Sequence, residues 1–307
     1  MSLEEVRPWL RGLILPVMTP FTEDDEIDPE GIRSQVEYYI KAGVKKGKGV
    51  LLAGAASGEY PSLSIEERKI VIRTVVEAAA GKVPVCAGTG HTSTRLVIEL
   101  TKHAEKVGAD CVQIDPPYYS APSDAQIFAH YRAVDEAVEI PIMVYNTPWA
   151  CGVNLSIPIM ERLCTLHNVL SLKWSHDDYG AYMEMIKRFK DRLVIIENAM
   201  PHRRVDSFAA GARGFISHVG ILWPAYDLEV FSLLERGKYG EVEEKLLKLA
   251  YPFHAFLSTH NYIAAIKAAL EILGRPIGKV RLPLLDLDEN EYRELRKLLK
   301  DTGVPGA

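Results

Sequence analysis

Leu13-Ile-Leu-Pro-Val-Met-Thr-Pro-Phe21 is the stretch that decides the fold. It begins as a short, continuous apolar run, the pattern of a strand buried on both faces. It then passes into Val17-Met18-Thr19-Pro20 with no glycine loop. A doubly wound open sheet would ordinarily carry a Gly-rich phosphate turn after its first strand, so that alternative loses ground to a closed barrel. Seven further runs of the same kind follow, at Gly49–Ala53, Val83–Ala87, Cys111–Ile114, Pro141–Tyr145, Val169–Lys173, Leu193–Glu197 and Gly214–His218. Helical patterns lie between them, and several have readable starts. Ser64-Ile-Glu-Glu67 is a capping box, Asp28-Pro29 sets a cap before a proline, and Ser123 and Ser156 offer two more caps.

Eight strand–helix units without a flexible linker predict an α/β fold, a (β/α)8 TIM barrel over residues 1–237. The remainder, 238–307, reads as a C-terminal helical extension with helices at Tyr239–Ser258, Tyr262–Leu273 and Glu289–Asp301. The 307-residue length suits one barrel plus such an appendage. A net charge of −5 and a pI near 6.0 give no reason to expect nucleic acid or a membrane surface as partner. No apolar run reaches the roughly 18 residues of a spanning helix. Cys86, Cys111, Cys151 and Cys164 show no CxxC spacing and read as reduced thiols, for which the cytoplasm is the default location.

A barrel of this type carries its chemistry where strands end and βα loops begin. Those positions hold no HExxH, no CxxC and no dense carboxylate cluster, so no metal is expected. They do hold one lysine, Lys173, at the end of Val169-Leu-Ser-Leu-Lys. An amine among apolar side chains loses proton affinity and becomes a nucleophile, although a strand-end lysine taken alone is more often snorkelled outward or paired. Tyr145 ends another strand and could face Lys173 across the barrel mouth, where a phenol can shuttle protons. Gly54-Ala-Ala-Ser-Gly-Glu59 offers successive N–H groups and the Ser57 hydroxyl, a nest for a carboxylate or simply a flexible turn. Glu59 is expected to tie loops together. His91, His176 and His218 are expected as polar contacts near the rim. Trp149 and Trp174 suggest an aromatic-lined pocket.

Taken together these segments resemble the dihydrodipicolinate synthase/N-acetylneuraminate lyase family of class I aldolases. Gly54-Ala-Ala-Ser-Gly-Glu-Tyr-Pro-Ser-Leu-Ser64 is similar to the family's Gly-(Thr/Ser)-Thr-Gly-Glu signature with its Pro-Thr-Leu-Ser continuation. Pro116-Pro-Tyr-Tyr119, Tyr145-Asn-Thr-Pro148 and the Lys173 strand come in the family's order, 26 and 28 residues apart between Tyr119, Tyr145 and Lys173. Gly211–Ser217 resembles its strand-8 motif, and Ala265–Gly278 its C-terminal helix. The resemblance implies an imine between Lys173 and pyruvate or a larger 2-keto acid, with no other cofactor, and Tyr145 as proton shuttle. It also implies Ser57 with the N–H groups of Ala56 and Gly58 at the keto-acid carboxylate, and Ile216 and Ser175 lining the site. Tyr119 matches a tyrosine that reaches a neighbouring subunit's site, which implies a homotetramer built from dimers.

Three positions depart from the family pattern. Ala56 stands where the family keeps a relay hydroxyl between two tyrosines. Ala150 stands where the synthases place the arginine for their aldehyde's carboxylate. Met200-Pro201 replaces the acidic pair of sialic acid lyases. The expectation is therefore a lyase on some other 2-keto acid, by aldol cleavage or by dehydration of a 2-keto-3-deoxy acid. A non-catalytic keto-acid-binding barrel is the alternative that Ala56 keeps open. Lys45-Lys-Gly-Lys48 reads as an insertion ahead of the second strand.

Overall fold

The computed structural model describes residues 3–307. Its eight strands are β1 (Gly12–Pro16), β2 (Gly49–Ala53), β3 (Val85–Gly88), β4 (Cys111–Ile114), β5 (Ile142–Tyr145), β6 (Val169–Trp174), β7 (Val194–Glu197) and β8 (Gly214–Ile216). Each pairs in parallel with the next, and β8 pairs with β1 to close the barrel. Every strand is buried along its whole length, as the continuous Val/Ile/Leu runs imply. Gly12 and Gly214 sit opposite each other at the closing seam. A Cβ on Gly214 would stand 2.8 Å from the Gly12 carbonyl oxygen, so the last pairing needs a residue without a side chain.

Helix starts fall where the caps predict them. Ser64 and Ser123 each complete a capping box, and Asp28 and Ser156 accept backbone N–H bonds at their own helix starts. Lys45–Lys48 forms a turn, and β2 spans the expected Gly49–Ala53. One expected helix, Tyr239–Ser258, is not continuous. It runs as Tyr239–Lys245, a π-helical stretch Leu246–Ala250 and then Tyr251–Thr259. Pro252 has no N–H for the preceding turn, and the wider turn ahead of it accommodates that loss.

Inside the barrel, Ile14, Val50, Leu52, Cys86, Cys111, Met143, Leu170, Val194 and Ile196 form one apolar column. Val6, which ends the short helix Leu3–Val6, and Trp9 and Leu10 in the turn after it join this column. Outside it, the C-terminal helices share a core with the β1–β2 side, where Phe253, Leu257, Ile266 and Leu270 pack with Leu15, Val17 and Phe21. A buried ion pair fixes this packing. Glu59 Oε1 lies 2.7 Å from Lys267 Nζ, and both side chains are almost fully enclosed. Lys267 also donates to the Lys279 carbonyl at 2.7 Å, and its ammonium sits 4.4 Å from the Phe21 ring centre. The second Glu59 oxygen accepts the Arg281 N–H at 3.0 Å, and the Arg281 side chain continues to Ser62, Glu67 and Asp25. Glu59 thus has the loop-tying position that its burial demands.

Breaking one partner of such a pair strands a buried charge. Lys267→Met is expected to cost about 3–5 kcal/mol, and the double variant Glu59→Gln/Lys267→Met less than the single one. Urea unfolding of the three proteins checks this; a double variant less stable than Lys267→Met would refute it.

Candidate active site

The C-terminal ends of the strands open into a cavity of about 350 Å³. Its walls come from strands and their loops, namely Pro16, Ala56 and Ser57, Gln113 and Asp115, Tyr145, Lys173, and Asn198 with Ile216 and His218. Its roof comes from the C-terminal helices through His254, Leu257, Ser258 and Tyr262. A larger groove of about 540 Å³ lies among the C-terminal helices, but its one buried amine, Lys267, is committed to Glu59. Among the described residues no group of histidine, cysteine and carboxylate side chains is placed to hold a metal ion.

Lys173 lies at the centre. It is 4% exposed, and its ammonium nitrogen donates to Gln113 Oε1 at 3.1 Å. Burial pulls its pKa down to about 7, against the opposing pull of Cys86, Asp115 and Glu197. A large fraction of the amine is therefore unprotonated at neutral pH and able to attack a carbonyl. Tyr145 is its neighbour rather than its opposite. The two residues are register partners on β5 and β6, and Lys173 Nζ lies 3.8 Å from the tyrosine ring centre. The β5–β6 register slips by one residue, Ile142 facing Val169 while Met143 faces Ser171, and that slip sets Tyr145 beside Lys173. The Tyr145 hydroxyl accepts from Asn198 Nδ2 at 3.3 Å, and burial raises its pKa.

Ala56, Ser57 and Ile216 line the cavity. Ser57 is hydrogen-bonded to the Tyr262 hydroxyl, whose pKa burial lifts to about 12. Gly58 and Ser175 are not among the walls. Gly58 donates its N–H to Ala55 and its carbonyl accepts from Thr19 Oγ1, so it closes the loop against β1. Ser175 Oγ donates to the Asn146 carbonyl at 2.7 Å while its own carbonyl accepts from Asn146 Nδ2, a clamp between two loops. Tyr119 is 99% exposed with φ of 80° and does not touch this chain's cavity.

Of the two tryptophans, Trp149 forms part of the rim. Trp174 does not: it comes directly after Lys173 on the strand, so it points to the other face, packs in the outer core and donates to the Tyr182 carbonyl at 3.2 Å. His91 and His176 accept N–H bonds from Ser93 and Asp178 in their own loops, away from the cavity. His218 is a wall residue, and burial pulls its pKa to about 3.

Gln113 and Asp115 are not marked by any strand-end motif, yet both line the cavity. Their signal is alternation. In Cys111-Val-Gln-Ile-Asp115, Cys111 belongs to the inner column while Val112 and Ile114 belong to the outer core. Residues 113 and 115 share the inward parity.

Residues 9–302 match the Dihydrodipicolinate synthetase family. The chain belongs to that family. It is 34% identical over 286 residues to 4-hydroxy-tetrahydrodipicolinate synthase 1 of Halalkalibacterium halodurans, covering 92% of this chain and 94% of that one. A Clostridium perfringens 4-hydroxy-tetrahydrodipicolinate synthase is 33% identical over 298 residues, covering 96% and 99%. Among solved structures, the dihydrodipicolinate synthase of Acinetobacter baumannii complexed with pyruvate superposes with a TM-score of 0.90 at 30% identity, covering 96% of this chain and 99% of that one. YagE, a prophage protein of the same family from E. coli K12 in complex with pyruvate, gives 0.87 at 28% identity, covering 96% and 99%. The family-level expectations hold: a (β/α)8 barrel with C-terminal helices, and a lyase of the class I aldolase type that works through a lysine imine.

The lowered Lys173 pKa has a stability consequence. Between pH 7 and about 10.5 the unfolded chain holds a proton on this amine that the folded chain has released, so wild-type stability rises with pH across that window. Lys173→Met is expected to be more stable than wild type at pH 7 by on the order of 2–4 kcal/mol, the gap shrinking toward pH 10. Denaturant midpoints of both proteins at the two pH values check it, and an unchanged gap would sink it.

Proposed function

We propose that Lys173 attacks the keto carbon of pyruvate or a longer 2-keto acid to form the imine, and that the enzyme cleaves or dehydrates a 2-keto-3-deoxy acid. The observation that carries the reading is the amine itself, enclosed at a strand end with its pKa pulled to about 7 and held by Gln113 beside Tyr145. Tyr145, hydrogen-bonded to Asn198, lies where it can pass protons as the carbinolamine forms and collapses. The Ser57 hydroxyl and the N–H groups of Ala56 and Ser57 receive the keto-acid carboxylate. Gly58 takes no part, since its N–H is already engaged.

The cavity lining supports a partner that is neither the synthase's aldehyde nor a sialic acid. Ala150, Met200, Leu257 and Trp149 are apolar walls beside His202, His254 and Ser258, and no arginine is among the described wall residues. A neutral aldehyde with an apolar or aromatic group suits such walls; a second carboxylate would be left unpaired. Tyr119 stands exposed as a residue that completes a neighbour's site would, which supports assembly as a homotetramer of two dimers. The four free cysteines fit a reducing cytoplasmic setting.

Borohydride added with pyruvate should fix an adduct on the peptide that carries Lys173, visible as a mass increase and absent in Lys173→Met. No mass gain with pyruvate or any longer 2-keto acid would overturn the imine. Ala56 favours one second reading, a barrel that binds keto acids without turning them over. It predicts the adduct but no product from any 2-keto-3-deoxy acid, whereas cleavage yields pyruvate plus an aldehyde, and dehydration yields a 2-keto acid semialdehyde.

A further inference from the structure

We propose that Asp115 is the acid–base residue that removes and returns the proton on the carbon next to the Lys173 imine. The proposal rests on the imine reading above and supplies a proton-transfer group in a chain where Ala56 has no hydroxyl to offer. Asp115 comes directly after β4, is 5% exposed, and lines the same cavity as Lys173 and Tyr145. Gln113, two residues earlier on the same inward face, accepts the Lys173 amine at 3.1 Å. The amine is therefore held against the strand that Asp115 follows, and a keto acid joined to it lies within the space that the carboxyl lines.

The carboxyl is held by a connected set of buried contacts. Tyr60 donates its hydroxyl to Asp115 Oδ2 at 3.2 Å. The Tyr60 ring lies under the Arg68 guanidinium at 4.7 Å and meets the Tyr118 ring edge-on at 6.5 Å. Arg68 is itself 2% exposed and donates to the carbonyls of Gly88 and Gly90 at 2.9 Å. The other oxygen needs Gly90 to be glycine, since a Cβ there would fall 2.0 Å from Asp115 Oδ1. Arg68 thus anchors both the glycine loop that makes room for the carboxyl and the tyrosine that grips it.

Other groups are less suited to the task. The Tyr145 hydroxyl is bonded to Asn198 and raised in pKa by burial, so it stays protonated at neutral pH. The Ser57 hydroxyl is engaged with Tyr262. Burial raises the Asp115 pKa, with its own backbone N–H, Arg68, Tyr60 and Lys173 pulling the other way, so its proton affinity exceeds that of an ordinary carboxylate. In the step itself, which starts from the protonated imine, the C–H bond beside the imine carbon breaks and its electron pair becomes the new C=C bond. The C=N π pair moves to the Lys173 nitrogen, and the proton goes to an Asp115 oxygen. The reverse step returns a proton from the carboxyl, which trades its hydrogen with solvent in between, so no further reactant is required.

The test uses the full-length protein with pyruvate in D2O, reading methyl-proton exchange by NMR and adduct formation by borohydride trapping. Asp115→Asn should keep the adduct but exchange the methyl protons at least ~100-fold more slowly. Tyr60→Phe keeps the Asp115 side chain and removes a bond that lowers its pKa, so the acid limb of its exchange profile should move to higher pH. The groups that face Asp115 and share that profile are Arg68, Tyr60, Lys173, Tyr118, Tyr131, Tyr145 and Cys151. Wild-type exchange in Asp115→Asn with the adduct retained overturns the proposal, as does a folded Asp115→Asn that forms no adduct. Should Asp115→Asn fail to fold, an unmoved acid limb in Tyr60→Phe overturns it and a moved one supports it. Absence of an adduct in the wild-type protein overturns the lysine reading itself, and Asp115 with it.

Discussion

The buried pair between Glu59 and Lys267 is the contact on which the site depends. It joins the loop after β2 to the helix Tyr262–Ile272, and so fixes the roof over the strand ends. Tyr262 opens that helix and reaches Ser57, two residues before Glu59. A carboxylate and an ammonium removed from water this completely are not a source of net stability by themselves. Their effect is geometric: only one seating of the C-terminal helices leaves neither charge uncompensated.

Lys173 stands under a different constraint. The barrel encloses it without a contacting carboxylate, so the fold holds an amine whose charged form is disfavoured. That arrangement is costly to folding and useful to chemistry, the same desolvation having both effects. A second buried network steadies the far wall. Arg204 binds Glu197 at 3.0 Å, donates to the Ile216 carbonyl and lies 3.8 Å from Asp227, which burial raises to about 6. Ile216 therefore holds its place at the end of β8 through an ion-pair cluster behind the barrel wall.

Much of this is legible in the chain. The eight apolar runs, the four helix caps and the strand-end position of Lys173 are local signals, and each appears where expected. Side-chain direction is where the expectations fail. Trp174 adjoins Lys173 in sequence and so must point the opposite way, and Ser175 belongs to the loop beyond. Gln113 and Asp115 are marked only by inward parity within β4 and just past its end, a weaker signal than a loop motif. His254, Ser258 and Tyr262 arrive from a distant segment, and no periodicity in the tail marks them as roof residues. The partner of Glu59 is hidden for the same reason.

Distance along the chain also sets an order of assembly. Arg281 meets Glu59 across 222 positions, and Lys267 comes nearly as late. During synthesis the strands are complete before either cation has been made, and folding proceeds from the N-terminus. A nascent barrel on the ribosome therefore carries an unpaired Glu59 and an open, wet mouth around Lys173.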